Sequence, residues 1–456
     1  MISLSLTALG GILGVDQTVL GQQSFTGVTI DSRKPCHGQL FVALAGANFD
    51  GHQFVDAAYR NGAVAALVEK PVDSEIIQLQ VDDCIQAMGR LGNYWRRYCN
   101  PCVVALTGSN GKTTVKEMLT QILSSHASTH ATRGNFNNDI GVPLTLFELA
   151  EEHDYAIIEM GANHRGEIAG LAAIAEPDIV YINNVAAAHL AGFGSIQGVI
   201  QAKGELYAYC APEQSALFNV DEVASTYWRE NCAAQTRLTC SLDGDADITA
   251  SWKSRADGIE IEFKYGGEVH DAQLLVMGEH NARNALAAVG LAILAGVEFR
   301  HAVANLAGFS GVKGRLQLST GPADSRLIDD SYNANPGSLV AGIKVLCSLE
   351  GSPWLALGDM GELGDDANEF HRQAGRNARE LGVEKLFGVG EMSSLACEEF
   401  GDEGYSCANI DEMAEVILSQ IHPSVNLLVK GSRAAGMERL IETLTHAAKG
   451  GKANAV

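Results

Sequence analysis

At 456 residues the chain is longer than one hydrophobic core usually serves, so two to four domains are expected and a single small module is excluded. With 46% hydrophobic and 19% charged residues it has enough apolar material to offset chain entropy, which excludes bulk disorder. The net charge of −23 opposes attraction to a nucleic-acid backbone or an anionic membrane, so any anionic ligand must be held by local backbone N–H groups, a few placed cations or metal ions.

The opening MISLSLTALGGILG is apolar, but no Lys or Arg precedes Arg33, so it lacks the charged start of a secretory signal. Short strands are expected near residues 27–30 and 40–44, within a small first α/β domain of residues 1–81. Ten cysteines are spread without a dense framework, which suits reduced thiols in a cytoplasm. Cys99 and Cys102 have redox or metal spacing, yet Cys102 opens a strand rather than a helix, so neither role is assigned.

Apolar runs at 103–107 and 155–160, separated by a helical stretch and a polar Asn/Gly loop, read as α/β alternation in a central domain of residues 82–312. The uncharged stretch 179–202 is long enough to span a bilayer but contains Asn183, Asn184, His189 and Gln197, so it reads as a strand followed by a polar loop. No membrane insertion is expected. A further strand at 216–219 follows, and the alternation Ile259 to Phe263 with the turn Tyr265-Gly266-Gly267 predicts antiparallel hairpins forming a small appended sheet. Residues 281–297 predict a buried helix. Strands at 327–330, 354–357, 385–389 and 426–429 alternate with helical segments, which predicts a Rossmann-like parallel third domain of residues 313–456.

The strongest local signal is Gly108-Ser109-Asn110-Gly111-Lys112-Thr113-Thr114, between an apolar strand and a helix at about 115–123. Glycines let backbone N–H groups point inward, the helix N-terminus adds positive potential, Lys112 can reach phosphate oxygens and the Thr113 hydroxyl can ligate Mg²⁺. It is a shortened P-loop, because Leu106 stands where the first glycine of the longer pattern would be. Glu159 ends the next strand and is the leading Mg²⁺ carboxylate if the sheet is parallel. Spacing alone singles out neither His189 nor Lys203, and it leaves Arg315 and Asp330 open between surface or capping roles and ligand contacts.

The strings TGSNGKTT, GNFNNDIGVPLT, IIEMGA, AKGEL, GEHNARNALAA, KGRLQ, DDSYNANP, GDMGELG and VKGSRAAGMERL occur in an order that resembles the Mur ligase superfamily. DDSYNANP, GDMGELG and the early DSR resemble the branch that joins D-alanyl-D-alanine to UDP-N-acetylmuramoyl-tripeptide with ATP, and the similarity runs almost end to end. The D-N-P-R motif of the branch acting one step earlier is absent. The resemblance implies a three-domain α/β fold and a cytoplasmic, monomeric enzyme of peptidoglycan precursor synthesis.

It further implies roles residue by residue. Lys112 and Thr113 hold ATP phosphates and Mg²⁺, with two ions expected, and Glu159 and His189 ligate metal. Lys203 is carried as a carbamate, in which CO₂ turns a cation into an anionic oxygen ligand. Asn281 lies near adenine, Arg315 meets the γ-phosphate and Asp330 the ribose. Asp31, Ser32 and Arg33 take the uridine nucleotide. Asn135, Asn137 and Asn138, with Asn333 and Asn335, meet substrate near the reacting groups. Lys112, Lys203, His189 and Arg315 form the expected catalytic set. For the acceptor, position and not the resemblance offers candidates: Asp359, Glu362, His371 and Lys430 lie at or shortly after third-domain strand ends, where open α/β sheets place ligands, as does Arg433, which on residue chemistry is equally a carboxylate contact or a surface charge. The shared ATP grip between domains implies an open free enzyme that closes on its ligands. Folylpolyglutamate synthase and a P-loop regulatory NTPase are the alternative readings. The DSR-bearing first domain argues against the former and the third domain's strand-end cluster against the latter.

Overall fold

The computed structural model describes residues 1–15, 23–46, 49–186, 190–255 and 257–453. His189, an expected metal ligand, lies outside the described residues. No described helix is long and apolar enough to cross a membrane, and all ten cysteines are free thiols.

The first sheet has four parallel strands in the order Val28–Thr29, Leu40–Val42, Ala65–Val68 and Ile77–Gln80. Its two middle strands are apolar throughout and buried on both faces, as parallel strands under flanking elements must be. The helix Cys84–Cys99 starts at Asp83, whose carboxylate accepts from the N–H groups of Ile85 and Gln86, and stops at Asn100 in the left-handed conformation. Leu91 and Trp95 of this helix join a core that runs from Leu6 and Leu67 to Ile158, Val180 and Phe218. The first sheet and one face of the central sheet therefore share a continuous apolar interior.

The central sheet has nine strands. Its order is Thr129–Ala131, Tyr155–Glu159, Cys102–Thr107, Ile179–Ile182, Ser215–Asn219, Thr236–Ser241, Ile248–Arg255, Gly258–Tyr265 and Glu268–Leu274. The first six are parallel and the last three antiparallel to one another. The antiparallel hairpins expected as an appendage to this domain are joined to its main sheet: Cys240 and Ser241 pair in parallel with Ile248 and Thr249, so the hairpins prolong that sheet. The reason is burial. Ile259, Ile261 and Phe263 alternate onto the same face as Leu217 and Leu238, and the helix Glu279–Leu294 covers them all through Leu286, Val289 and Ala292.

The third sheet runs Gln317–Thr320, Arg326–Asp330, Val425–Lys430, Ser352–Gly358, Lys385–Val389 and Gly404–Cys407, parallel except for its first, edge strand. Separate apolar clusters cover its two faces. In the central sheet Glu159 stands beside Leu106 and Ile182 beside Thr107, so the loops leaving three adjacent strands emerge together at one carboxyl edge, where open α/β sheets hold ligands.

Candidate functional site

The glycine-rich loop leaves the sheet after Thr107 and enters the helix Lys112–Ser124 at Gly111, whose φ is +76°. A Cβ there would stand 2.5 Å from Asn183 Nδ2 and 2.6 Å from Asn284 Oδ1, so both conformation and crowding require glycine. The side chains that crowd it also fix the loop. Asn183 Nδ2 donates to Asn110 O at 2.8 Å and to Asn284 Oδ1 at 3.0 Å. Asn184 receives the Asn110 N–H at 2.8 Å and returns its amide to Asn110 O at 3.0 Å. Ser109 Oγ accepts from Ala186 N at 2.9 Å. Asn110 belongs to the loop that the sequence singles out, but spacing singled out none of Asn183, Asn184 and Asn284, and the only signal was the Asn183-Asn184 pair following an apolar strand.

Lys112 Nζ donates to Gly108 O at 2.7 Å. Burial lowers its pKa, opposed by the Glu159 carboxylate and reinforced by the Arg315 charge. Thr113 Oγ1 donates to Glu159 Oε2 at 2.9 Å, and Asn137 Nδ2 donates to Oε1 at 2.9 Å. The Glu159 N–H is held by Thr132 Oγ1 at 3.0 Å. Asn138 caps its own turn, accepting from Gly141 N at 2.8 Å, while Asn135 lines the cleft beside it.

Lys203, on the helix Ile196–Ala208, faces the same cleft and is only 2% exposed. Burial and the Lys112 charge hold its pKa well below the ordinary lysine range. No ion pair or side-chain hydrogen bond compensates it among the described residues. Thr113 and Glu159 are hard oxygen donors at a phosphate loop, and Mg²⁺ takes one or two protein oxygens and shares the rest with phosphates and water. The donor set therefore fits the ion. An uncompensated buried lysine beside it fits conversion to a carbamate, which would replace a stranded cation by a further oxygen ligand.

Residues of the third domain complete the cleft, about 550 Å³ in volume. Arg315 donates to Thr113 Oγ1 at 3.0 Å and Asn335 Nδ2 to Asn110 Oδ1 at 2.8 Å. The third domain thus touches the loop directly. Asp330 Oδ2 is paired with the buried Lys430 ammonium, which also donates to Asn333 O at 3.0 Å. Burial raises the Asp330 pKa, against the pull of Lys430 and Arg315. Asn281 donates to Met277 O at 2.9 Å inside the cleft. His280 also lines it, and burial brings its imidazole down to about 4. Glu222, another wall residue that spacing passed over, accepts from Val185 N at 3.2 Å, and burial raises its pKa.

Other candidates lie elsewhere. Asp31 and Arg33 form an exposed ion pair at 2.8 Å in the first domain, with the Asp31 pKa drawn down to about 2. Ser32 is buried beside them, its carbonyl accepting from Asn61 Nδ2 at 2.6 Å. None of the three lines the cleft. Arg433 does, although it is also paired with Glu438 at 2.9 Å. Two acceptor candidates are structural instead. His371 is fully buried, its Nε2 accepting from Met360 N at 2.9 Å, and Asp359 holds the Ser393 N–H at 2.7 Å. Sequence could not separate these tethers from ligands because both are polar residues near strand ends.

Three family models match in succession: Mur ligase family, catalytic domain, over 24–105; Mur ligase middle domain over 106–292; and Mur ligase, glutamate ligase domain, over 314–433. The chain belongs to the Mur ligase family. This Mur ligase is 40% identical over 457 residues to the UDP-N-acetylmuramoyl-tripeptide--D-alanyl-D-alanine ligase of Escherichia coli K12, covering 97% of this chain and 99% of the relative. Among solved structures it resembles MurF from Acinetobacter baumannii, with a TM-score of 0.91, 36% identity, and 98% and 99% of the two chains covered. It also resembles the Thermotoga maritima MurF ligase in complex with ADP, with a TM-score of 0.81, 25% identity, and 93% and 98% covered.

Proposed function

We propose that this Mur ligase uses ATP to join D-alanyl-D-alanine to UDP-N-acetylmuramoyl-tripeptide in peptidoglycan precursor synthesis. The observation that carries the reading is the meeting of Arg315 with Thr113 beside Lys112 and Glu159. A cation from one domain is set on the phosphate loop of another, where a triphosphate and a second substrate can be gripped together. The names of full-length relatives at this identity supply the substrate pair.

A carboxylate is a poor acyl donor, since its leaving group would be oxide. In the proposed reaction a carboxylate oxygen of the nucleotide-linked peptide attacks the γ-phosphorus, the bond to the bridging oxygen breaks, and ADP leaves an acyl phosphate. The free amine of the dipeptide then attacks the carbonyl carbon, phosphate departs with the bonding pair, and the amine loses a proton as the amide forms. Lys112 and Arg315 would face the charge spread over the transferring phosphoryl group, and the loop N–H groups would fix its position. Mg²⁺ held by Thr113 and Glu159 would neutralise phosphate charge when bound, and a Lys203 carbamate would supply an oxygen to a second ion.

In this reading residues 1–81 take the uridine nucleotide through Asp31, Ser32 and Arg33, residues 82–312 take ATP, with Asn281 at the base, and residues 313–456 close the site. Asp330 would meet the ribose, Asn135, Asn137, Asn138, Asn333 and Asn335 would face the donor, and Arg433 would offer a fork to the dipeptide carboxylate. A cytoplasmic setting suits ATP and free thiols. The test is phosphate release by the purified chain with UDP-N-acetylmuramoyl-tripeptide, with and without D-alanyl-D-alanine, followed by the product's mass. Release that needs both and yields the pentapeptide product is expected, whereas release independent of the dipeptide would overturn the ligase reading.

A further inference from the structure

The ring of Tyr332 has no role in the reaction above, yet two of the arginines that line the cleft approach it. The Arg315 guanidinium carbon lies 4.4 Å from the ring centroid and that of Arg433 5.9 Å. The backbone ties the same partners together. Tyr332 N donates to Gly314 O at 3.1 Å, and Arg315 N donates to Val312 O at 3.0 Å to close the turn. A Cβ on Gly314, where φ is +75°, would stand 3.2 Å from Tyr332 Cβ. The turn that carries Arg315 therefore rests directly on Tyr332.

What the guanidinium lacks matters equally. Among the described residues Arg315 has no carboxylate partner, and its one side-chain hydrogen bond goes forward to Thr113 Oγ1 at 3.0 Å. The other two arginines that line the cleft have carboxylate partners: Arg283 has Asp221, Asp243 and Glu279, and Arg433 has Glu438. An ion pair would orient Arg315 but would also discharge it and occupy its donors. A ring face orients the cation through its quadrupole and leaves charge and N–H groups free for a phosphate. The Tyr332 hydroxyl makes no hydrogen bond among the described residues, so the face of the ring is what the site uses.

We infer that Tyr332 is a positioning residue for Arg315, holding its guanidinium at the phosphate loop by the ring face where a carboxylate would quench it. The inference rests on the reading that Arg315 meets the transferring phosphoryl group. A partly desolvated cation–π contact spans about fivefold to thirtyfold in rate when all of it acts in the transition state.

The experiment compares Tyr332→Phe, Tyr332→Met, Arg315→Ala and the Arg315→Ala/Tyr332→Met double variant for ligation kcat, KM for ATP and Tm. Tyr332→Met is expected to lower kcat by about fivefold to thirtyfold with KM for ATP changed less than about threefold. Tyr332→Phe should restore turnover, and the double variant should be no slower than Arg315→Ala alone. If Tyr332→Met does not fold, Tyr332→Leu takes its place. Wild-type kcat without the ring, or losses that multiply in the double variant, would overturn the inference while leaving the Arg315 reading intact. Wild-type kcat in Arg315→Ala would overturn that reading itself.

Discussion

Replacing Lys203 by methionine should stabilise the protein while abolishing ligation. The side chain is 2% exposed, and burial with the neighbouring Lys112 charge depresses its pKa. In the unfolded chain the amine titrates near 10.4. A base whose folded pKa is lowered costs stability wherever the unfolded form is protonated and the folded site resists it. That cost is absent above about pH 10.4, grows by about 1.4 kcal/mol for each unit as pH falls, and becomes constant below the folded pKa. Methionine fills similar space without charge. Replacing buried charged groups by apolar ones of similar volume stabilises by about 1–4 kcal/mol, or about 2–16 °C in Tm for a unit the size of the central domain.

The assay is thermal unfolding of both proteins in CO₂-free buffer at pH 7 and pH 9.5, alongside ligation at pH 7. The gain should be larger at pH 7 and shrink toward pH 9.5, with turnover lost in the variant. Bicarbonate with Mg²⁺ should raise the Tm of the wild type alone, accompanied by the mass of one CO₂. No gain at pH 7, or a gain that grows with pH, would refute an uncompensated ammonium at this position.

Further outcomes follow from neighbouring groups. Lys112→Ala should fold with little change in Tm and lose ligation by a hundredfold or more, on the order of 3 kcal/mol of transition-state stabilisation; wild-type turnover would remove the loop from the mechanism. Asp330→Asn strands the buried Lys430 ammonium and should cost about 3–5 kcal/mol in denaturant unfolding, most of it regained by adding Lys430→Met. His280 has a folded pKa of about 4, below its unfolded value near 6.5. Its contribution to stability is full above pH 6.5 and lost as pH falls toward 4, so His280→Gln should flatten the stability profile across that window, and an unchanged slope would rule out the buried neutral imidazole.

The parts of the site that could be read from sequence were those with local chemistry. A glycine loop between strand and helix, a lysine and a threonine at its end, and a glutamate closing the neighbouring strand all follow from short-range rules, and the parallel register places Glu159 beside Leu106. What could not be read depends on residues far apart in the chain. Asn183 meets Asn110 and Asn284, 73 and 101 positions away, and an asparagine in a loop looks the same whether it holds a backbone or faces solvent. His371 misled for the mirror-image reason, because a histidine beside a strand end is equally a ligand or a buried tether. The hairpins were recognised from alternation, but alternation does not reveal which strand they join. That was decided by the helix Glu279–Leu294, which offers one apolar roof to both halves of the sheet.

The contact between the third domain and the loop is narrow enough for its strength to be argued from two bonds. Asn335 to Asn110 is a neutral pair and Arg315 to Thr113 a charge-assisted one, worth about 1 kcal/mol and about 1.5–3 kcal/mol before the freedom of two domains is restricted. A difference of that size leaves a minor state populated, and a ligand bound by both domains shifts the balance by its differential affinity. Asn335 is unsuitable for testing this, since its side chain also caps the helix Pro336–Ser348 and its loss would weaken the fold by about 0.5–2 kcal/mol. Asn110→Ala with Arg315→Ala removes the two bonds without touching that cap. X-ray scattering of the double variant should show a larger radius of gyration than the wild type, and an ATP analogue with the nucleotide-sugar substrate should narrow the difference only partly. An unchanged radius would mean that the domains are held by other contacts, such as Met277 seated in the third domain's apolar cluster, and not by these two bonds, and closure would then contribute nothing to selecting ligands.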